Sequence, residues 1–390
     1  MRGTFFNHFC GGETVADLDP VIQELRKQGV GAILDYAAEV DADEEPETPE
    51  VSPSGDDSDA SAASGPASQK LARKETMAAR TYAYQTEAQC DAVAKIFHRG
   101  IDAQKHVSAD GFSAIKLSGL GNPALLKRFT STILEMRTFL VRLGQEPEEN
   151  PDTSTQTPGT ASLRGDRPTQ MTEVWNTETQ ELTISERKFK KGFRYFFEMS
   201  DEEVQKLWDN APKSEREDGK HVIDFWGWTR VLDYRGLSDI VRGCRHKGPL
   251  YAAALTQEEI ELVDKMLERV GKLAEHAHRE GVHMMIDAEW TNIQPAIDFM
   301  VLGLQRKYNV ERPIIFQTYQ SYLKGSLNEV TRDLSRANRE GYHFGAKLVR
   351  GAYVVAENEA AEKEGRPSPI WESTQIFFSH RLSSEFHTHF

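Results

Sequence analysis

Three short stretches decide how this chain folds: His283-Met284-Met285-Ile286-Asp287, Pro313-Ile314-Ile315-Phe316-Gln317 and Phe344-Gly345-Ala346-Lys347-Leu348-Val349. Each is of strand length and nearly continuous in apolar residues, the pattern of strands buried on both faces of a parallel sheet. Helical stretches separate them, Ile293 to Tyr308 and Ser326 to Gly341. Ahead of them, Thr256-Gln257-Glu258-Glu259 has the Thr-to-Glu spacing of a capping box. Ile260, Val263, Met266, Leu267, Val270, Leu273 and Ala274 follow at helical spacing, and Gly281 stands where a helix ends. Strand and helix alternate with a period of about 30 residues, the rhythm of βαβ units. A fourth, earlier strand is Phe112 to Ser118 (FSAIKLS), ahead of a turn-rich GLGNP and a helical segment from Ala124 to Leu143. The reading predicts parallel strands at 112–118, 283–288, 313–318 and 344–350, adjacent in that order.

The same strands carry the chemistry. Asp287, Gln317 and Lys347 each break an apolar run, spaced by 30 residues in turn, and Lys116 does so in the earlier strand. One polar residue at a strand end ordinarily reaches solvent. Four in one register point instead to groups converging at the C-terminal mouth of a (β/α) barrel, where active sites sit. All four are therefore expected at one end of the sheet.

Two segments read as disordered linkers, 41–70 and 144–172, rich in Pro, Ser, Gly and acid and poor in aromatics. Between the second and Thr256, Phe189, Phe193, Phe196 and Phe197 form an aromatic helix face, and Asp201-Glu202-Glu203 opens another helix. The chain has 390 residues, 61 acidic against 47 basic, for a net charge of −14. That balance disfavours a nucleic-acid partner. Cys10, Cys90 and Cys244 lie far apart, odd in number and without zinc spacing, which fits a reducing compartment. No apolar run reaches the roughly 20 residues of a membrane span, and no targeting segment is visible at Met1.

Weaker signals read as ordinary structure. Gly119-Leu120-Gly121-Asn122-Pro123 resembles a phosphate loop, but Pro123 and a missing third glycine make it a turn. His276 and His278 are two apart on a helix and face different ways, so they read as surface histidines rather than metal ligands. Residues 201–228 loosely suggest a calcium hand, but Arg216 stands where an oxygen ligand is needed.

MMIDAEWTNIQPAI, RPIIFQTYQSYLK and GYHFGAKLVRGAYV, with TFFNHFCGGE, GVGAILDY, ARTYAY and GFSAIKLSGLG, resemble the eukaryotic mitochondrial proline dehydrogenase family from about Thr4 to Pro369. The resemblance implies an α/β fold, a partial (β/α)8 TIM-like barrel with about its first four strands. It implies FAD at the mouth, L-proline oxidised to Δ1-pyrroline-5-carboxylate and a quinone acceptor. It also implies a mitochondrial location with peripheral association at the matrix side of the inner membrane, and leaves an oligomer open. By resemblance, Lys116 helps bind the substrate carboxylate, Asp287 braces the cations and Tyr353 lines the proline pocket. Gln317 and Lys347 adjoin the flavin ring, and Val349, Gly351 and Ala352 border the cofactor. A reduced flavin gathers negative charge, so a fixed cation and a donor beside it are stabilising.

On this reading the chain divides into an N-terminal helical arm (1–40), a linker (41–70) and a helix with the first barrel strand (71–143). A second linker (144–172), a helical insertion (173–255), a βαβα barrel portion (256–375) and a tail unlike the family (376–390) follow. The family's barrel implies four further strands and a closing helix with a Tyr and an Arg pair, so the chain reads as truncated at both ends. Such a chain is expected to be poorly soluble or oligomeric, to retain little FAD and to lack measurable activity. Two alternatives remain open: a hydroxyproline dehydrogenase, or an inactive fragment that binds or regulates a partner.

Overall fold

The computed structural model describes residues 15–35, 86–107, 111–144, 183–216, 218–228, 234–241 and 247–372, together with 12, 40–41, 80–81, 230 and 243–245. Apart from Asp41 and Gly144, both expected linkers lie outside the described residues, as does the tail from 373.

The elements that position the site are β1 (Ile33–Leu34), α1 (Glu87–Val107), β2 (Phe112–Ile115), α2 (Pro123–Gly144), α3 (Gln257–Glu280), β3 (His283–Ile286), α4 (Gln294–Tyr308), β4 (Ile315–Gln320), α5 (Ser326–Glu340), β5 (Ala346–Val349) and α6 (Val354–Lys363). The five strands form one sheet in the order β1-β2-β3-β4-β5, every neighbouring pair parallel. Sequential parallel strands with a helix between them make part of a (β/α) barrel. The four predicted strands are present and adjacent as expected. A fifth, β1, comes from the segment read as a helical arm. Its two paired residues are too few to show a period.

Local chemistry sets the boundaries. Thr256 caps α3 with the reciprocal Glu259 bonds of a capping box, and Gly281 ends it at φ 73°. β4 begins at Ile315, two residues later than expected. Pro313 has no N–H for a ladder. The Asn309 side chain accepts from the N–H groups of Ile314 and Ile315, and donates to the carbonyls of Ile315 and His343. β4 then runs on to Gln320, paired with Val349. Gly345 precedes β5 where a Cβ would lie 2.7 Å from the Ile315 carbonyl, so the close approach of the strands requires glycine there.

One face of the sheet packs on helices. Ile115, Met284, Ile286 and Ile315 join Phe129 of α2, Val263, Met266 and Val270 of α3, and Ile297, Met300 and Val301 of α4 in the main core. A second core lies beyond the far half of α2, where Phe139 and Leu143 meet Phe189, Phe193, Phe197, Trp208 and Trp228. The aromatic face expected at 189–197 is thus buried. This region, read as helical, also holds a three-stranded antiparallel sheet of Thr183–Ser185, His221–Asp224 and Ser214–Glu215. Gly219 makes the turn between the last two at φ 76°. Asp224 is committed to Ser214, the Gly227 N–H and Arg339.

Candidate active site at the strand ends

Register decides which side chains meet. Ile115 pairs with Ile286, Ile286 with Gln317, and Thr318 with Lys347. One residue beyond Ile115 and Ile286, Lys116 and Asp287 therefore lie level with Thr318 and Lys347 across four strands. Side chains alternate between faces, and this row points away from the helices. Lys347 Nζ lies 2.6 Å from Asp287 Oδ1, both side chains partly exposed. Below the row, Phe112 stacks on His283 at 4.6 Å, and Phe316 meets both edge-on.

Gln317 departs from the expectation. It shares the C-terminal end of the sheet with the other three but faces the opposite way, its Nε2 donating to Asp298 Oδ1 of α4 at 2.8 Å. The physical reason is the period of two: β4 is shifted by one residue against a strict 30-residue spacing, which turns Gln317 over and puts Thr318 in the row.

Two residues missed from the sequence complete the mouth. Thr318 is buried with no hydrogen-bond partner for its hydroxyl. Glu289, two beyond Asp287, is fully buried; its Oε1 accepts from the Ser118 N–H at 2.9 Å, while its Oε2 has no partner. Burial pushes the Glu289 carboxyl up to about 7, against the Ser118 hydrogen bond and the charge of Lys116. Neither was signalled by the sequence: Glu289 lies beyond the end of β3, and Thr318 enters the row through a register shift that spacing does not show.

The rim is tied together. Gln320 donates to the Glu289 carbonyl at 2.9 Å and accepts from the Tyr322 hydroxyl, which in turn receives the Tyr353 N–H at 3.1 Å. Tyr353 is buried with its ring 6.0 Å from Trp290. Thr291 donates twice to Glu357 of α6, at 2.9 and 2.8 Å. Val349 is half-buried, and Gly351 and Ala352 are exposed. A Cβ on Gly351 would make only ordinary contact with Val354.

These residues fit a flavin. A cation stands at the mouth in Lys347, and the hydroxyl of Thr318 is a buried polar group without a partner. The backbone at Gly351 and Ala352 is open to approach.

The helix side of β4 holds a second polar region. Gln317, Asp298 and Glu329 line a cavity of about 250 Å³ that reaches the strand end at Thr318 and Gln320 as well. Behind it Asp333 pairs with Arg332 and Arg336 at 3.1 and 3.2 Å and accepts from the Tyr319 hydroxyl. Burial pushes Asp298 up to about 6 and Glu329 up to about 8, and draws Arg137 down to about 9. Arg332 and Arg336 hold Asp333 below the usual carboxylate range despite its burial.

The proline dehydrogenase family model matches residues 19–376. Human mitochondrial proline dehydrogenase 1 is 35% identical over 396 residues, covering 97% of this chain and 61% of the relative. The Caenorhabditis elegans counterpart is 31% identical, covering 99% and 62%. Bovine hydroxyproline dehydrogenase is 33% identical over 139 residues, 34% of this chain and 30% of that protein. The chain thus spans about three fifths of the length of the human and Caenorhabditis elegans relatives. A solved structure of proline utilization A with proline bound in remote sites is similar at TM-score 0.28 and 12% identity, over 75% of this chain and 35% of that one. With its family model matched over most of its length, and strands in the order the motifs required, the chain belongs to the proline dehydrogenase family.

Proposed function

We propose that this chain serves the FAD-dependent oxidation of L-proline to Δ1-pyrroline-5-carboxylate, with electrons passed on to a quinone. The observation that carries the reading is the row Lys116, Asp287, Thr318 and Lys347 across one mouth, in a chain of this family. Bound FAD supplies the two-electron acceptor. Lys116 provides a point charge for the substrate carboxylate, and Asp287 holds Lys347 in place. Lys347 stabilises negative charge on the flavin. Thr318 takes the hydrogen-bonding place expected of Gln317, which is engaged with Asp298. Tyr353 closes the rim beside Trp290. An amine must be unprotonated to lose hydride, and Glu289 Oε2 is a carboxyl oxygen able to hold a proton near neutral pH.

Proline is preferred over hydroxyproline as the substrate because the match to proline dehydrogenases spans 97% of the chain and that to hydroxyproline dehydrogenases about a third. The relatives named mitochondrial support a mitochondrial site of action, and a quinone acceptor calls for peripheral contact with the inner membrane from the matrix side. No helix among the described residues is long and apolar enough to cross a membrane.

The test is anaerobic addition of L-proline to the chain in excess FAD, followed in the visible flavin band. Against the expectation of a chain that retains little FAD and lacks activity, the row of polar residues leads us to expect bleaching by proline, slower bleaching by hydroxyproline, and re-oxidation by a quinone analogue. A flavin-loaded protein left unbleached by proline overturns the reading.

A further inference from the structure

We propose that His98, Asp102 and His276 form a binding site for a divalent transition metal of the zinc class, stapling α1 to α3. The site stands apart from the mouth and does not depend on the proposed reaction. His98 and Asp102 are four apart on α1 and so share a face. His276 comes from α3, packed along that face. Their ligand atoms all lie within 4.8 Å of one another. Asp102 Oδ1 is 2.6 Å from His276 Nε2, and Asp102 Oδ2 is 3.5 Å from His98 Nδ1. The two imidazoles stack at 3.6 Å and 16°.

His276 is thereby not the surface residue its sequence position suggested: it is 6% exposed, while His98 and Asp102 stand about half-exposed. A buried ligand with two accessible ones gives both a fixed anchor and an entry path. Two imidazole nitrogens and one carboxylate are the donor set of zinc and its neighbours, with a fourth position for water; calcium and magnesium call for oxygen ligands.

The resting hydrogen bonds say what binding must rearrange. Arg279 Nη2 lies 2.6 Å from His276 Nδ1, and guanidinium only donates, so Nδ1 accepts and Nε2–H donates to Asp102. A metal at Nε2 displaces that proton, and the neutral ring carries its proton on Nδ1 instead. Arg279 must then withdraw, which its 64% exposed side chain permits. The exposed His98 ring must turn to bring a nitrogen lone pair onto the same ion. Arg279 is therefore a brake on binding, both as a donor facing Nδ1 and as a nearby positive charge.

The experiment is calorimetric titration of the chelator-treated full chain with Zn²⁺, with Co²⁺ as a spectroscopic probe and Mg²⁺ as comparison. We expect one equivalent of Zn²⁺ to bind and raise the melting temperature, a Co²⁺ visible band, and no response to Mg²⁺. His98→Gln and Asp102→Asn change half-exposed residues and should weaken Zn²⁺ binding by at least about tenfold. Arg279→Gln should tighten it. Absence of saturable Zn²⁺ binding overturns the proposal. So does binding unaffected by His98→Gln and Asp102→Asn, or Arg279→Gln that leaves affinity unchanged or lower.

Discussion

Two faces of one strand use polar residues in contrasting ways. On the helix side of β4, Gln317 and Tyr319 reach Asp298 and Asp333, and three arginines and three carboxyl groups share a buried region. On the other side the Thr318 hydroxyl has no hydrogen-bond partner, and Lys347 pairs with Asp287 while both stay in reach of solvent. The first region pairs largely within itself, although Arg336 Nε has no partner and Gln317, Asp298 and Glu329 border a cavity. The second leaves the buried Thr318 hydroxyl and Glu289 Oε2 without partners. Polar groups that satisfy each other hold an architecture; polar groups left over mark where a ligand is expected. The two regions should therefore respond differently to mutation, the first in stability and the second in chemistry.

The largest effect should come from Asp333→Ala. It leaves Arg332 and Arg336, 5% and 6% exposed, without their shared carboxylate. Breaking a buried pair from one side costs about 3–5 kcal/mol, to be read as a fall in the urea midpoint. A loss under about 1 kcal/mol would mean that the arginines find water or other partners, and that the contrast between the faces is overdrawn. On the other face, Lys347→Met keeps much of the volume and removes the cation. Flavin reduction by proline should slow about 10²–10³-fold, as for loss of one preorganised electrostatic contact, with the flavin potential lowered. Unchanged reduction kinetics would remove Lys347 from the mechanism.

Glu289 sharpens the comparison through pH. Its carboxyl rises from an ordinary 4.5 to about 7. The native state therefore keeps a proton that the unfolded chain has released, and stability from this group is lost as pH rises from about 4.5 through about 7. Glu289→Gln abolishes that dependence. Relative to the unsubstituted chain, the variant should gain about 2–3 kcal/mol between pH 5 and pH 8. Parallel stability curves for the two proteins would show that Glu289 ionises normally. Asp298 and Glu329 shift in the same direction and remain in both proteins, so they cancel in the difference.

The sequence made the strands legible because burial on both faces writes continuous apolar runs, and the caps legible because Thr256, Glu259 and Gly281 act locally. It did not show β1, whose pairing depends on β2 about 80 residues away. It placed Lys116, Asp287, Gln317 and Lys347 at one end but could not give the face of Gln317, because a one-residue shift in register leaves composition and spacing almost untouched while reversing the face. The ion network on the helix side and the His98–Asp102–His276 cluster escaped for a related reason. Arg137 and Arg332, or Asp102 and His276, are each unremarkable on their own helices and acquire meaning only when those helices pack.

The smallest expected effect isolates that register shift in two neighbouring residues. Thr318→Val replaces a buried hydroxyl that has no partner with a methyl group of similar size. An unsatisfied buried polar group costs about 1–3 kcal/mol, so without flavin the variant should be at least as stable as the unsubstituted chain, by up to about 1 kcal/mol. Flavin retention should fall, since the hydroxyl is the group proposed to meet the cofactor. Gln317→Leu should do the reverse, destabilising the chain by about 1–2 kcal/mol because Asp298 loses a donor at 2.8 Å in a buried setting, with flavin retention little changed. Urea melts and FAD titrations on the two variants read both quantities. If Gln317→Leu instead abolishes FAD binding while Thr318→Val leaves it intact, Gln317 faces the flavin in the holoprotein. β4 must then present the opposite face at the mouth, and the division of labour between its two sides is reversed.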